Sequence, residues 1–60
     1  MSLVEFINDY KIFKAVQLFR QGETSVEQVS EQCGFGDAKN FRSMFKRKMQ
    51  MTPKQYIQSL

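Results

Sequence analysis

The stretch EQCGFGDAKNFRSMFKRK, residues 31–48, combines two glycines with a dense run of basic residues and decides the fold. Gly34 is typical of a helix end, because glycine adopts the left-handed conformation at little cost. Asp37 can accept a hydrogen bond from the backbone at the start of a new helix. The stretch therefore predicts a helix that ends at a tight turn and a second, basic helix over residues 38–48.

The rest of the sequence predicts three further helix starts. Each has a capping residue with a suitable partner: Ser2 with Glu5, Ser25 with Gln28, and Thr52 with Pro53. Gly22 ends the first helix. No segment shows the apolar–polar alternation of a half-buried strand. The expected fold class is all-α, a small helical bundle with a long N-terminal helix and a helix-turn-helix.

Charge is distributed unevenly along the chain. The 60 residues carry nine Lys and Arg against six Asp and Glu, a net charge of +3. Residues 1–37 hold three of the basic residues and all six acids, whereas residues 38–60 hold six basic residues and no acid. A positive excess confined to one part of a chain is typical of proteins that bind a polyanion.

The basic helix divides into two faces at about 100° per residue. One face is apolar and is predicted to join the core: Phe41, Met44 and Phe45. The opposite face is a basic stripe, flanked by Asn40 and Arg47: Lys39, Arg42, Ser43 and Lys46. The second helix of a helix-turn-helix lies in the major groove of DNA, so this stripe is predicted to face the bases.

Side-chain chemistry assigns roles within this surface. Lysine and arginine donate hydrogen bonds to guanine, asparagine makes paired hydrogen bonds with adenine, and serine can hydrogen-bond to several bases. The predicted base-contacting residues are Lys39, Asn40, Arg42 and Ser43. Basic residues further along the helix, and the free N–H groups that begin the preceding helix, suit phosphates. The predicted phosphate-contacting residues are Thr24, Ser25, Lys46 and Arg47.

The first helix carries two apolar faces that point in different directions. Its first half has Leu3, Phe6, Ile7 and Tyr10 on one side; its second half has Ile12, Ala15, Val16 and Phe19 on nearly the opposite side. Two faces imply two bodies to pack against. We expect the first-half face to be covered by a neighbouring subdomain. The alternatives are a bundle that wraps both faces and a homodimer that forms through Leu3, Phe6, Ile7 and Tyr10.

Catalysis and metal binding are not expected. The chain has no histidine and one cysteine, and it shows neither paired carboxylates nor a phosphate-binding glycine loop. We therefore expect no enzyme activity, no cofactor, no catalytic residue and no metal ligand. Cys33 and Phe35 are interpreted as packing residues. No apolar run approaches the roughly 20 residues of a membrane span, and no signal peptide is evident. The expected location is cytoplasmic, with no membrane partner.

An ordered series of residues gives the chain a family resemblance: Gly34-Phe35, Phe41, Phe45-Lys46, Thr52-Pro53 and Tyr56. The chain resembles the C-terminal part of an AraC/XylS-type bacterial transcription regulator, whose DNA-binding domain holds two homeodomain-like helix-turn-helix subdomains joined by a long connecting helix. Three positions depart from the family pattern: Asn40 in place of an aromatic residue, Gln50 in place of glycine, and Ile57 in place of arginine.

The resemblance implies a domain plan and a set of partners. Residues 1–21 would be the connecting helix and residues 25–60 the second helix-turn-helix subdomain, the whole being one partial DNA-binding domain. The implied partners are double-stranded promoter DNA, the first subdomain, an upstream regulatory domain and RNA polymerase. In a membrane-anchored hybrid sensor the domain would lie on the cytoplasmic side. The predicted function is sequence-specific DNA binding; the alternative is a helical protein-interaction or dimerisation module.

Overall fold

A computed structural model describes residues 2–60, and this part of the chain forms four α-helices and no strand. The helices are α1 Leu3–Arg20, α2 Val26–Gln32, α3 Ala38–Met49 and α4 Pro53–Ser59. The all-α prediction is confirmed. Residues 38–48, predicted to form the basic helix, all lie within α3, which ends at Met49. None of the four helices is long and apolar enough to cross a bilayer.

All four helices begin at the capping residues that the sequence predicts. The side-chain oxygens of these residues accept first-turn backbone N–H groups at 2.9–3.3 Å: Ser2, Ser25, Asp37 and Thr52. The reciprocal half of a capping box forms at α4, where the Gln55 Oε1 accepts from the Thr52 N–H at 3.0 Å. The exposed Glu5 and Gln28 side chains do not make this second bond within residues 2–60, so those two boxes are half formed.

The α2–α3 turn depends on a left-handed glycine. Gly34 has φ +86°, a conformation that residues with a Cβ adopt only at a cost. The chain reverses there, and the Phe35 N–H donates to the Ser30 carbonyl at 2.9 Å, which satisfies a carbonyl at the end of α2. The Phe35 side chain that follows is directed inward, where it is 7% exposed.

The core has an aromatic centre contributed by α1, α3 and α4, and α2 adds Val29 and Cys33 to it. The Phe45 ring centroid lies 5.8 Å from that of Phe19, 5.7 Å from that of Phe41 and 5.9 Å from that of Tyr56. Tilted and edge-on arrangements at these distances are favourable beyond the area that they bury. The apolar residues with least exposure are Ile12, Ala15, Phe19, Val29, Cys33, Phe35, Phe41 and Phe45. Met44 is only partly buried against this cluster.

The two faces of α1 have different fates. The second-half face supplies buried core residues, Ile12, Ala15 and Phe19, with Val16 partly buried. The first-half face is exposed, so the alternative of a bundle that wraps both faces is wrong. Phe13, which was not among the predicted residues of either face, lies three residues after Tyr10 and continues this face. We call the following set the outer face of α1: Leu3, Phe6, Ile7, Tyr10 and Phe13, which are 43–74% exposed.

Candidate nucleic-acid interface

The rotation of α3 about its own axis is set by its buried side. Phe41 and Phe45 are fully buried, so the positions opposite them are directed to solvent. The structure places every predicted residue of this helix on the exposed side: Lys39, Asn40, Arg42, Ser43, Lys46 and Arg47. The helix contains no acidic residue. These six side chains therefore form one polar, positively charged surface, which we call the basic surface of α3.

One edge of the basic surface runs toward α2 and α4. Arg42 lines a groove together with Thr24 at the start of α2 and Lys54 in α4. The groove wall also contains Val26 and Ile57, both partly buried. The structure thus brings predicted base-contacting and phosphate-contacting residues together, at Arg42 and Thr24. It also adds Lys54, which carries one of the six positive charges after residue 37 but is not among the predicted contact residues.

The other edge runs toward α1. Arg47 lines a groove with Glu5 and Asp9 of α1. Lys48, next along α3, makes an ion pair with Asp9, with 2.7 Å between its Nζ and the Asp9 Oδ1. The ion pair ties the C-terminal half of α3 to α1 and offsets the charge of Lys48. The positive field beside Arg47 is therefore weaker than the sequence alone suggests.

The N-terminus of α2 holds the remaining two predicted residues. Thr24 is exposed, whereas Ser25 is half-buried and its Oγ accepts from the Gln28 N–H at 3.3 Å. That bond leaves the Ser25 hydroxyl hydrogen free to donate to an outside acceptor. Thr24 lines the same groove as Arg42, so a single extended anion could reach both residues.

Cys33 lies inside the turn and not on the interface. It is 5% exposed, and desolvation by burial raises the pKa of its thiol, an effect that the nearby charge of Lys14 partly opposes. A neutral, buried thiol acts as a small packing group. Residues 2–60 contain no cluster of three His, Cys, Asp or Glu side chains that could hold a metal ion. The chemistry that this surface offers is hydrogen bonding and charge.

Comparison with known proteins agrees with this geometry. A family model described as a helix-turn-helix domain matches residues 1–59. The chain is 35% identical to the xylose operon regulatory protein of Haemophilus influenzae over 55 residues, which are 92% of this chain and 14% of that protein. It is 33% identical to the HTH-type transcriptional activator RhaS of Salmonella arizonae over 49 residues, 82% of this chain and 18% of the activator.

The chain thus spans less than a fifth of the length of these relatives. No solved structure gives a significant match. The family match covers nearly all of the chain, including the turn, the basic helix and the long α1. The chain belongs to the AraC/XylS-type helix-turn-helix family of bacterial transcription regulators.

Proposed function

We propose that the chain binds double-stranded promoter DNA as the second helix-turn-helix subdomain of a bacterial transcription regulator, with α3 in the major groove. One observation carries the proposal: α3 buries its aromatic face completely and presents only basic, amide and hydroxyl groups on the other. Those are the groups that donate to base edges and phosphates. The relatives' printed names, a regulatory protein and a transcriptional activator, point the same way.

Within the basic surface of α3 we assign base contacts to the first two turns of the helix. In helix-turn-helix proteins the N-terminal residues of the second helix reach the base edges. The assigned residues are Lys39, Asn40, Arg42 and Ser43, all exposed. The arginine can make the bidentate contact to guanine that is the commonest specific contact in DNA complexes. Asn40 adds an amide of the kind that reads adenine.

Phosphate contacts are assigned to the two edges of the same surface. Lys46 and Arg47 follow one turn after the base-contacting residues; Thr24 lines the same groove as Arg42, and Ser25 is the next residue along the chain. Two edges that each hold a strand of the DNA backbone would fix the register of α3 in the groove. Such contacts supply affinity that depends on salt and carry no sequence information themselves.

We further propose that residues 1–21 are the connecting helix and residues 25–60 the second subdomain. The support is the outer face of α1, whose apolar side chains remain 43–74% exposed. In this arrangement the first helix-turn-helix subdomain covers that face. An upstream regulatory domain and RNA polymerase are the remaining proposed partners. Action on bacterial promoters places the domain in the cytoplasm, also where the parent is a membrane-anchored sensor.

The second candidate function is a helical protein-interaction or dimerisation module. The same outer face favours it, because a contiguous exposed apolar stripe on a small domain usually marks an interaction surface. The two candidates use different surfaces, the outer face of α1 in one and the basic surface of α3 in the other. Sedimentation of the chain with and without a Phe6→Asp change separates them: loss of self-association with unchanged DNA affinity would place dimerisation, but not DNA binding, on the outer face.

The decisive experiment measures DNA affinity against salt concentration for wild type and three alanine variants. Lys46→Ala and Arg47→Ala should weaken binding to every duplex and each reduce the slope of log K against log salt by about 1. Arg42→Ala should cost about 1–3 kcal/mol on a duplex that wild type selects from a randomised pool, and less on a shuffled duplex. A Lys14→Ala variant, which removes an equal charge from α1, is the control.

Two results would refute the assignment. One is a wild-type affinity that does not change with salt; the other is a set of α3 variants that bind no differently from the Lys14→Ala control. The isolated chain is expected to bind weakly at physiological salt, because one recognition helix lacks the effective concentration that a linked second one provides. Tight, specific binding by this chain alone in a gel-shift assay would contradict that expectation.

A further inference from the structure

Lys11 connects the middle of α1 to the turn between α2 and α3. Its half-buried side chain lies beside the turn, and its Nζ donates to the Gly34 carbonyl oxygen at 3.3 Å. The same Nζ is 5.4 Å from the centroid of the Phe35 ring, within the range of a cation–π interaction. One ammonium group therefore holds two consecutive residues of the turn, 23 and 24 positions away in sequence.

The Lys11 side chain lies against the backbone of the turn. A Cβ built on Gly34 would lie 3.5 Å from the Cε of Lys11 and 3.6 Å from its Nζ, which is ordinary van der Waals contact. The Gly34 carbonyl oxygen accepts a hydrogen bond from this Nζ, so the acceptor is the backbone of the turn itself.

The contact extends through Phe35 to α3. The Phe35 ring lies between Lys11 and Phe41, with 5.1 Å between the two phenylalanine centroids. Phe41 is in the first turn of α3, and its N–H donates to the Asp37 carbonyl at 3.0 Å. A continuous set of packed groups therefore links α1 to the start of the helix that holds the base-contacting residues.

We propose that Lys11 is a positioning residue for α3, which fixes the pitch of this helix by holding the turn against α1; the proposal rests on the DNA-binding function argued above. Base contacts need donor–acceptor distances of about 2.7–3.2 Å at fixed angles, whereas phosphate attraction tolerates larger shifts. Loosening the turn should therefore weaken recognition of sequence more than it weakens binding to DNA as such.

The test compares three variants by fluorescence anisotropy on two duplexes. Lys11→Met keeps the aliphatic stem and removes the ammonium; Lys11→Arg keeps a cation that can donate to a carbonyl and stack on a ring; Lys14→Met removes the same charge elsewhere on α1. The duplexes are one that wild type selects from a randomised pool and a shuffled version of it. The quantity measured is the ratio of the two affinities.

Lys11→Met should lower this ratio about three- to tenfold, the loss expected for one hydrogen bond from a charged donor and one partly exposed cation–π contact. Lys11→Arg should restore most of the ratio, and Lys14→Met should leave it unchanged. Equal ratios for Lys11→Met and Lys14→Met would overturn the proposal, as would failure of arginine to restore what methionine loses. Phe35→Leu removes the ring and keeps an apolar side chain, and it should also lower the ratio. This variant replaces Lys11→Met in the test if Lys11→Met does not fold.

A second measurement needs no DNA. Amide hydrogen exchange at Phe35, whose N–H bonds to the Ser30 carbonyl in the turn, should become about three- to tenfold faster in Lys11→Met, with exchange at Phe45 in the core unchanged. If wild type binds no duplex, the proposed function fails, and the positioning role with it, while the exchange rates still decide whether Lys11 holds the turn. Unchanged exchange at Phe35 would overturn the contact itself.

Discussion

Replacing Gln50 with glycine is expected to stabilise the domain. Gln50 is the C-cap of α3, with φ 62° and ψ 24°, and it is the one non-glycine residue with positive φ among residues 2–60. Its N–H donates to the Lys46 carbonyl at 2.8 Å, and its side chain is exposed. The backbone hydrogen bond survives the substitution, so the change acts on backbone conformation alone.

The magnitude follows from two opposing effects. A residue with a Cβ pays about 1–2 kcal/mol in the left-handed conformation, which glycine does not pay. Glycine makes the unfolded chain more flexible, which costs about 0.4–1 kcal/mol. The net expected gain in the free energy of unfolding is about 0.5–1 kcal/mol, which corresponds to a rise in Tm of about 2–8 °C for a domain of this size.

The chain offers a matched control at the end of α1. Gln21 is also an exposed C-cap glutamine, but its φ is −81°, in the right-handed region. Gln21→Gly relieves no strain there and should lower the free energy of unfolding by about 0.5–1 kcal/mol. Urea and thermal unfolding followed by circular dichroism at the helical band measure both variants. If Gln50→Gly is no more stable than wild type, or both variants shift in the same direction, the strain argument is refuted.

Three further changes probe the packing, the ion pair and the buried thiol. Phe45→Ala empties the centre of the aromatic core and should cost about 3–5 kcal/mol, much of the stability of a 60-residue chain, so its circular dichroism spectrum should lose helical signal at room temperature. Asp9→Asn breaks a largely exposed ion pair with Lys48, and urea unfolding should show a loss below about 1 kcal/mol that shrinks further with added salt. Burial raises the pKa of the Cys33 thiol, so the folded state favours the neutral thiol more than the unfolded chain does. The stability that the buried thiol contributes is complete at neutral pH and is lost as the pH rises above the ordinary thiol range. In unfolding experiments at alkaline pH, wild type should therefore lose stability relative to Cys33→Ala.

The features that sequence predicted are those set by neighbours along the chain. Asp37 caps α3 and Gln50 ends it because capping depends on groups within a few residues, and this fixes which residues the helix contains. The buried and exposed sides of α3 followed from periodicity, since Phe41 and Phe45 are one turn apart. The same spacing could have added Phe13 to the outer face. It was missed because Phe13 lies in the second half of α1, whose other apolar residues belong to the core face.

The features that sequence missed depend on distances across the fold. Lys11 meets Gly34 only because α1 packs beside the α2–α3 turn, and Asp9 meets Lys48 only because the same helix crosses the end of α3. Neither pair has a local signature, since any exposed lysine could have pointed to solvent instead. The involvement of Lys54 with Arg42 likewise required the position of α4.

The position of α1 has a consequence for how the basic surface of α3 would be used. This helix of 18 residues, about 27 Å long, contains neither glycine nor proline, so it has no built-in point of bending. Its second half is packed in the core, Asp9 ties it to the C-terminal end of α3, and Lys11 ties it to the turn that precedes α3. A body docked on the outer face would therefore hold a nearly fixed orientation to α3. Under the proposed function, the rigid α1 therefore sets the spacing between the two recognition helices. Once one recognition helix has bound DNA, the other is already oriented, so its binding costs little further orientational entropy.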